Sequence, residues 1–180
     1  MLTPELQKTI NRAAEEALAR RHEYLTLEHL LYSLLEEKTG ADVIKNCGGN
    51  LKEMASELEQ FMNDSLEKVP FPEERIQEVL MPDGTIERIH PQDEYTLSQT
   101  AAYERVLRRA IMQAHSSGHT TIESGNVIAA MFEERRSHAT YLLEKQGITR
   151  LDVLSYISHG ISKLEGSEEE HAEEFDDAPT

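Results

Sequence analysis

The sequence predicts an all-α protein of eight helices, arranged as two four-helix repeats. Three observations predict it. The chain repeats itself at an offset of 97 residues, so that His22–Glu37 lies over His119–Glu134. At that offset Leu6 meets Tyr103, Ile10 meets Leu107, Ala13 meets Ala110 and Ala17 meets Ala114. After a shift of a few residues, Gly48 and Leu51 also meet Gly147 and Leu151. The apolar residues recur with helical rather than strand period, and each run begins at a capping residue and stops near glycine. A duplicated helical unit points to two copies packed together, because one copy cannot bury its apolar face alone.

The elements follow in order. Thr3 caps a first helix with Pro4 at its first position, where the missing N–H costs nothing. Leu6, Ile10, Ala13, Ala14, Ala17 and Leu18 share one face, and the helix is expected to stop near Arg21-His22. Thr26 caps a second helix carrying Leu27, Leu30, Leu31, Leu34 and Leu35, with Thr39-Gly40 expected to break it. A short third helix runs through Val43 and Ile44 to Gly48-Gly49. Asn50 caps a fourth, with Leu51, Met54, Leu58, Phe61 and Met62 in register.

The second copy repeats this plan. Its first helix is expected from about Ser98 to His115, with Tyr103, Val106, Leu107, Ala110, Ile111 and Ala114 inward, and ends at Ser116-Ser117-Gly118. Glu123 or Ser124 caps the next, which carries Val127, Ile128, Met131 and Phe132. A seventh helix covers about Ser137 to Lys145 and stops at Gly147. Thr149 caps the eighth, with Leu151, Leu154 and Ile157 inward, running to Gly160.

These elements divide the chain into repeat one (1–65), an insert (66–95), repeat two (96–161) and a tail (162–180). The insert holds four of the six prolines. Within it, Val79-Leu80-Met81 and Thr85–Ile89 flank Pro82-Asp83-Gly84, a candidate two-stranded hairpin whose turn needs Gly84 at positive φ. From Ser162 to Thr180 there are eight acids and one lysine, with few apolar residues, which reads as an acidic disordered linker.

Net charge is −16, which argues against non-specific nucleic-acid binding. No apolar run approaches the ~18 residues of a membrane span. The first residues lack the basic-then-apolar pattern of a signal peptide, and the single Cys47 cannot form an internal disulfide. Both features fit a reducing, cytoplasmic compartment.

Enzyme signatures are missing. The sequence has no Gly-x-x-x-x-Gly-Lys-[Ser/Thr], Gly-x-Ser-x-Gly, His-Glu-x-x-His or Cys-x-x-Cys. Cys47, at the end of a short helix, reads as a small core residue rather than a nucleophile. His22 and His29, with Glu23 and Glu28 near, suggest a zinc set, but their spacing matches no closed zinc pattern. Because His22 and His119 hold matching places, the preferred reading is structural, at a helix-to-loop corner.

Arg105, Arg108 and Arg109 cluster on one helix of an acidic protein, whereas copy one has Lys8, Asn11 and Arg12 there. Arg105 and Arg109 are one turn apart. Two readings stand: a solvated face paired with its own acids, such as Glu104, or half of a charge-complementary interface in which Glu23 and Glu28 add the opposite sign.

Several segments resemble the Clp N-domain family, and above all its ClpA branch, in which the domain heads an AAA+ unfoldase that feeds the ClpP protease. They are Arg21-His22-Glu23, Thr26 with Glu28-His29-Leu30-Leu31, Arg105–Ala110, Ser116-Ser117-Gly118, Tyr141-Leu142-Leu143, Arg150–Val153 and Ile157–Gly160. The resemblance covers about 1–65 and 96–161. It implies a pseudo-twofold axis between the repeats, a flexible linker after the domain, and no catalysis in this chain. ATP and magnesium are expected only in ATPase modules that this sequence does not contain. It further implies docking of a ClpS-like adaptor that delivers N-degron substrates, through Glu23, Glu28, Thr100, Arg105, Arg109 and Arg150, and, for the whole protein, hexamers that meet ClpP. The insert departs from the family pattern: it is longer, and the hairpin has no counterpart. Two rivals remain, a ClpC- or ClpB-like domain that binds other adaptors or unfolded peptide, and a metal-dependent hydrolase.

Overall fold

The computed structural model describes residues 1–89 and 95–164; the acidic residues from 165 onward lie outside it. Repeat one contains α1 (Pro4–Ala19), β1 (Tyr24–Leu25), α2 (Leu27–Glu36), α3 (Lys38–Asn46) and α4 (Leu51–Ser65). A 3₁₀ turn (Pro72–Arg75) leads into β2 (Gln77–Leu80) and β3 (Ile86–Ile89). Repeat two contains β4 (Ser98–Gln99), α5 (Ala101–Ser116), α6 (Ser124–Met131), α7 (His138–Lys145) and α8 (Arg150–His159).

The caps read from sequence form as hydrogen bonds. Thr3 Oγ1 accepts from the Leu6 N–H (3.2 Å), Asn50 Oδ1 from the Glu53 N–H (3.0 Å), and Thr149 Oγ1 from the Asp152 N–H (3.1 Å). Equivalent helices α2 and α6 both start with a capping box, in which His29 and Asn126 reach back to the N-cap backbone N–H. These two residues are 97 apart, so the duplication extends to the cap chemistry.

The repeats exchange packing partners. Helix α2 packs on α7, and its counterpart α6 packs on α3. Strand β1 pairs in parallel with β4, placing Leu25 opposite Gln99, and Leu2 bridges Ile122 in parallel. The 97-residue offset carries Leu2 onto Gln99 and Leu25 onto Ile122. Each repeat therefore lends the segment before its first helix to the segment before the other's second helix. This is the pseudo-twofold relation expected. One core results, in which the matched pairs Leu6/Tyr103, Ala13/Ala110 and Ala17/Ala114 are all buried.

Several expectations need correction. The break after α2 falls at Glu37, and Gly40 lies inside α3, where the Leu34 carbonyl sits so close that a Cβ would overlap it. Ser98-Gln99 is strand rather than helix, since Leu25 offers it a backbone partner. Ile111 is half exposed and Leu151 is 72% exposed; in α8 the fully buried residue is Val153. The packed body also runs past 161: Ser162 is buried and Lys163 Nζ donates to the Gly147 carbonyl (2.7 Å).

The insert does contain the hairpin. Strands β2 and β3 pair antiparallel from Gln77↔Ile89 to Leu80↔Ile86, and Gly84 has φ +87°. No helix among the described residues is long and apolar enough to cross a membrane.

Candidate functional site

Thr100 caps α5 by accepting the Tyr103 N–H (3.2 Å). Tyr103, Val106, Ala110 and Ala114 then turn inward, which leaves Arg105, Arg108 and Arg109 on the outer side. Arg105 makes a forked pair with Glu134, Nε to Oε1 at 3.0 Å and Nη2 to Oε1 at 2.5 Å. Arg109 Nε meets Glu133 at 2.7 Å, and its Nη1 reaches Glu134 at 3.5 Å. The side chain of Glu134 is only 9% exposed. The hydrogen bond from Arg105 holds its carboxyl below the usual range. The partners of the arginines are thus the acids closing α6 rather than Glu104. Glu133-Glu134 ends the duplicated segment, but nothing in the sequence pairs these acids with Arg105 and Arg109; folding brings them within reach.

The same acid serves repeat one differently. Glu37, the counterpart of Glu134, is buried and accepts the hydroxyls of Thr9 and Ser124, so it ties the two repeats together. The fold position was kept while the donor changed from hydroxyl to guanidinium.

Arg105, Arg108, Arg109 and Arg150 line one groove of about 1100 Å³. Its lining comes from α5, the turn from Ser116 to Thr121, Glu123 and Asn126 at the start of α6, and Leu154, Ile157 and Ser158 of α8. The apolar residues Leu154 and Ile157, read from sequence as core, are half buried and face this groove. Arg105 and Arg109 are balanced by Glu134 and Glu133. Arg108 and Arg150 are exposed and have no ion-pair partner among the described residues. Glu123, at the groove edge, is occupied as the N-cap of α6. Four arginines against Glu123, Glu133 and Glu134 leave the groove one positive charge in excess, in a chain of net charge −16. Arg108 lines the same groove, although it is not among the six residues expected from the sequence.

The six predicted residues separate into two groups and one outlier. Arg105, Arg109 and Arg150 meet in the groove. Thr100 begins the same helix five residues before Arg105, about 7.5 Å along the axis. Glu23 precedes β1, in which Tyr24 pairs with Ser98 and the Leu25 carbonyl accepts the Thr100 N–H (3.1 Å), so it lies on the adjoining strand, three positions back from the level of Thr100. A hydrogen bond shared with Glu67 pushes the Glu23 carboxyl above its ordinary value.

Glu28 stands apart from both, buried between the repeats. It is 6% exposed, and its Oε1 accepts the N–H groups of His138 (2.9 Å) and Ala139 (3.2 Å) at the start of α7. A carboxylate at a helix N-terminus satisfies orphan donors and complements the dipole.

The histidines behave as structure. The Thr26 N–H donates to His29 Nδ1 (3.0 Å), which places the proton on Nε2; that atom donates to His22 Nδ1 (2.7 Å). Burial holds the His29 imidazole down to about 3, and lowers His22, with Arg20 and Lys68 adding to it. His119 is exposed, so the match with His22 is one of backbone alone: His22 N–H donates to Ala17 O and His119 N–H to Ala114 O. No cluster of three or more metal-ligating side chains occurs among the described residues. Burial pushes the Cys47 thiol up to about 11, away from nucleophile chemistry.

Fold and groove define a helical double-repeat domain with a charged cleft confined to its second half. The family model for the Clp repeat (R) N-terminal domain matches residues 1–146. A "ClpA homolog protein" from Fuscovulum blasticum is 36% identical over 158 residues, which cover 88% of this chain and 18% of that protein. The N-domain of ClpV from Vibrio cholerae has the same fold, with TM-score 0.64, 18% identity and coverage of 90% of this chain and 87% of that one. A complex of a ClpV N-domain with VipB peptide gives TM-score 0.62, 17% identity and coverage of 88% and 85%. The chain belongs to the Clp N-domain family, and it spans about a fifth of the length of its ClpA-like relative.

Proposed function

We propose that the groove and the head of α5 dock a ClpS-like adaptor, for a ClpA-like ATP-driven unfoldase that passes substrates to ClpP in the cytoplasm. The domain itself supplies no chemistry. It tethers cargo, raising its local concentration near the unfoldase. The observation that carries this reading is the groove's two cations without an ion-pair partner among the described residues, Arg108 and Arg150; Thr100 caps α5, the helix that carries Arg105, Arg108 and Arg109. Exposed cations of this kind steer an acidic partner to the groove and make its binding salt-sensitive.

Calorimetric titration with the ClpS-like protein of the same organism, at low and high salt, tests it. Saturable one-to-one binding that weakens with salt is expected, and Arg105→Ala and Arg150→Ala should each reduce affinity. No binding, or unchanged affinity in both variants, would remove the adaptor assignment.

One observation favours a second reading. Met112, Leu154 and Ile157 give the groove an apolar lining between its arginines. A ClpV N-domain has been solved with VipB peptide. Direct capture of a peptide with apolar and acidic residues is the alternative occupant, and competition between such a peptide and the adaptor would reveal it. The metal-dependent hydrolase has no support from His22 and His29, which are engaged with each other.

A further inference from the structure

The segment between the repeats plays no part in the groove, yet it is firmly mounted. The Val69 N–H donates to the Arg21 carbonyl (2.7 Å), and Arg21 Nε and Nη2 donate to Val69 O and Pro70 O, each at 3.0 Å. The same guanidinium lies over the Phe71 ring (4.6 Å) and the Tyr95 ring (4.7 Å), and the Tyr95 hydroxyl donates to the His22 carbonyl. Arg21 takes φ +51° to do this. One residue pair, Arg21-His22, thus grips both ends of the insert.

Between those feet the hairpin is well made and uncovered. Asp83 Oδ1 accepts from the Thr85 N–H (3.0 Å) and hydroxyl (2.6 Å), and Glu78 pairs with Arg88 across the strands (3.4 Å). All eight strand residues are exposed. Leu80 and Ile86, directly opposite each other, are 73% and 63% exposed. A two-stranded ribbon with no packed face is marginal alone, and open strand edges are templates for another backbone.

The register shows which groups are open. The Met81 N–H donates to Thr85 O (2.7 Å), so this pair is hydrogen-bonded. Bonded and non-bonded pairs alternate in an antiparallel ribbon. Leu80/Ile86 and Glu78/Arg88 therefore turn their N–H and C=O groups outward, and the same four side chains share one face.

We infer that this hairpin is a second docking element, which takes an extended, apolar, neutral or basic polypeptide segment as a third strand. Strand addition needs a complementary backbone and alternate apolar side chains, and the outward edges and the Leu80/Ile86 pair supply both sides of that match. A second copy of the chain fits less well. Residues 71–89 carry five acids and two arginines in a chain of −16, so like copies repel. Two four-residue strands also cover far less than the ~1,200 Å² of a stable association between folded copies. The inference does not depend on the adaptor reading, because no groove-lining residue belongs to the hairpin.

The test is fluorescence anisotropy of the full chain with a labelled peptide of alternating Val and Thr ending in two lysines. A control of the same length has Pro at every third position and cannot extend a sheet. Saturable binding of the alternating peptide is expected, with the control at least tenfold weaker. The double variant Leu80→Thr/Ile86→Thr keeps strand preference and should lose at least tenfold in affinity. Arg108→Ala/Arg150→Ala should bind the peptide as the natural sequence does. Hydrogen exchange at saturation should slow the amides of Glu78 and Leu80, or those of Ile86 and Arg88, according to the edge used. Failure to saturate, equal binding of the control, or an unaffected double variant would overturn the inference. So would self-association that the double variant abolishes, since the occupant would then be a second copy.

Discussion

Glu28 in repeat one accepts the backbone N–H groups of His138 and Ala139, at 2.9 and 3.2 Å, and so caps a helix of repeat two from 110 residues away in sequence. The acid lies on α2, which packs on α7, and the bond is buried. It joins the two repeats across their interface.

Replacing this acid should therefore act on stability. Glu28→Ala leaves one buried and one partly buried donor without this acceptor, and a loss of about 1–3 kcal/mol is expected from the urea midpoint. Glu28→Gln keeps an acceptor and should lose less. A change within about 0.5 kcal/mol for the alanine variant, the range of ordinary surface substitutions, would contradict the role.

Arg150 and Arg105 should separate binding from local electrostatics. Arg150 is exposed and has no ion-pair partner among the described residues, so Arg150→Ala should weaken adaptor binding and leave the melting temperature unchanged. Arg105→Ala should in addition raise the Glu134 carboxyl toward its ordinary value, readable by NMR titration. The folded value of Glu134 is depressed, so its stabilisation is present above about pH 4.5 and lost as pH falls through the folded value. A Glu134 titration identical in the variant would remove Arg105 as its partner.

The histidine pair predicts a different pH window. Both imidazoles are held below their ordinary 6.5 in the folded protein, His29 down to about 3. As pH falls below 6.5 the unfolded chain binds protons that the folded one refuses, so stability is full above that pH and declines beneath it. Unfolding free energy should drop by roughly 1–3 kcal/mol between pH 6.5 and pH 5, before Glu134 begins to act. In His22→Gln/His29→Gln that slope should flatten. An equally steep slope in the variant would place the titrating group elsewhere.

Gly40 offers a steric test. An alanine Cβ would overlap the Leu34 backbone carbonyl at the tight join of α2 and α3. Gly40→Ala should destabilise by about 1–3 kcal/mol, as overpacking does, although alanine favours helices elsewhere. Neutral or raised stability in a melting experiment would show that the join relaxes freely.

Much of the fold was legible because caps and apolar period are local. Thr3, Asn50 and Thr149 announce helix starts through hydroxyl and amide acceptors, and duplication repeats the message. Long-range pairings left no such mark. Nothing around Leu25 says that Gln99 will lie beside it. Leu151 misled because a first-turn leucine fits the inward period, yet Val153 fills that place. At the site, the arginine cluster was visible as charge on one helix face. Its partners Glu133 and Glu134 were not, since folding alone brings them within reach. Glu28 misled for a related reason: a carboxylate in a helix pattern reads as solvated until another helix points its N-terminus at it.

The grip of Arg21 on Val69, Pro70, Phe71 and Tyr95 has one more consequence. No described residue from 66 to 95 enters the buried core. What lies between the two gripped ends can lengthen, shorten or change its sequence while the helices keep their packing. Such a segment works as an exchangeable fitting on a fixed mount. Its residues are free to follow the identity of whatever they meet, and the core places no demand on them.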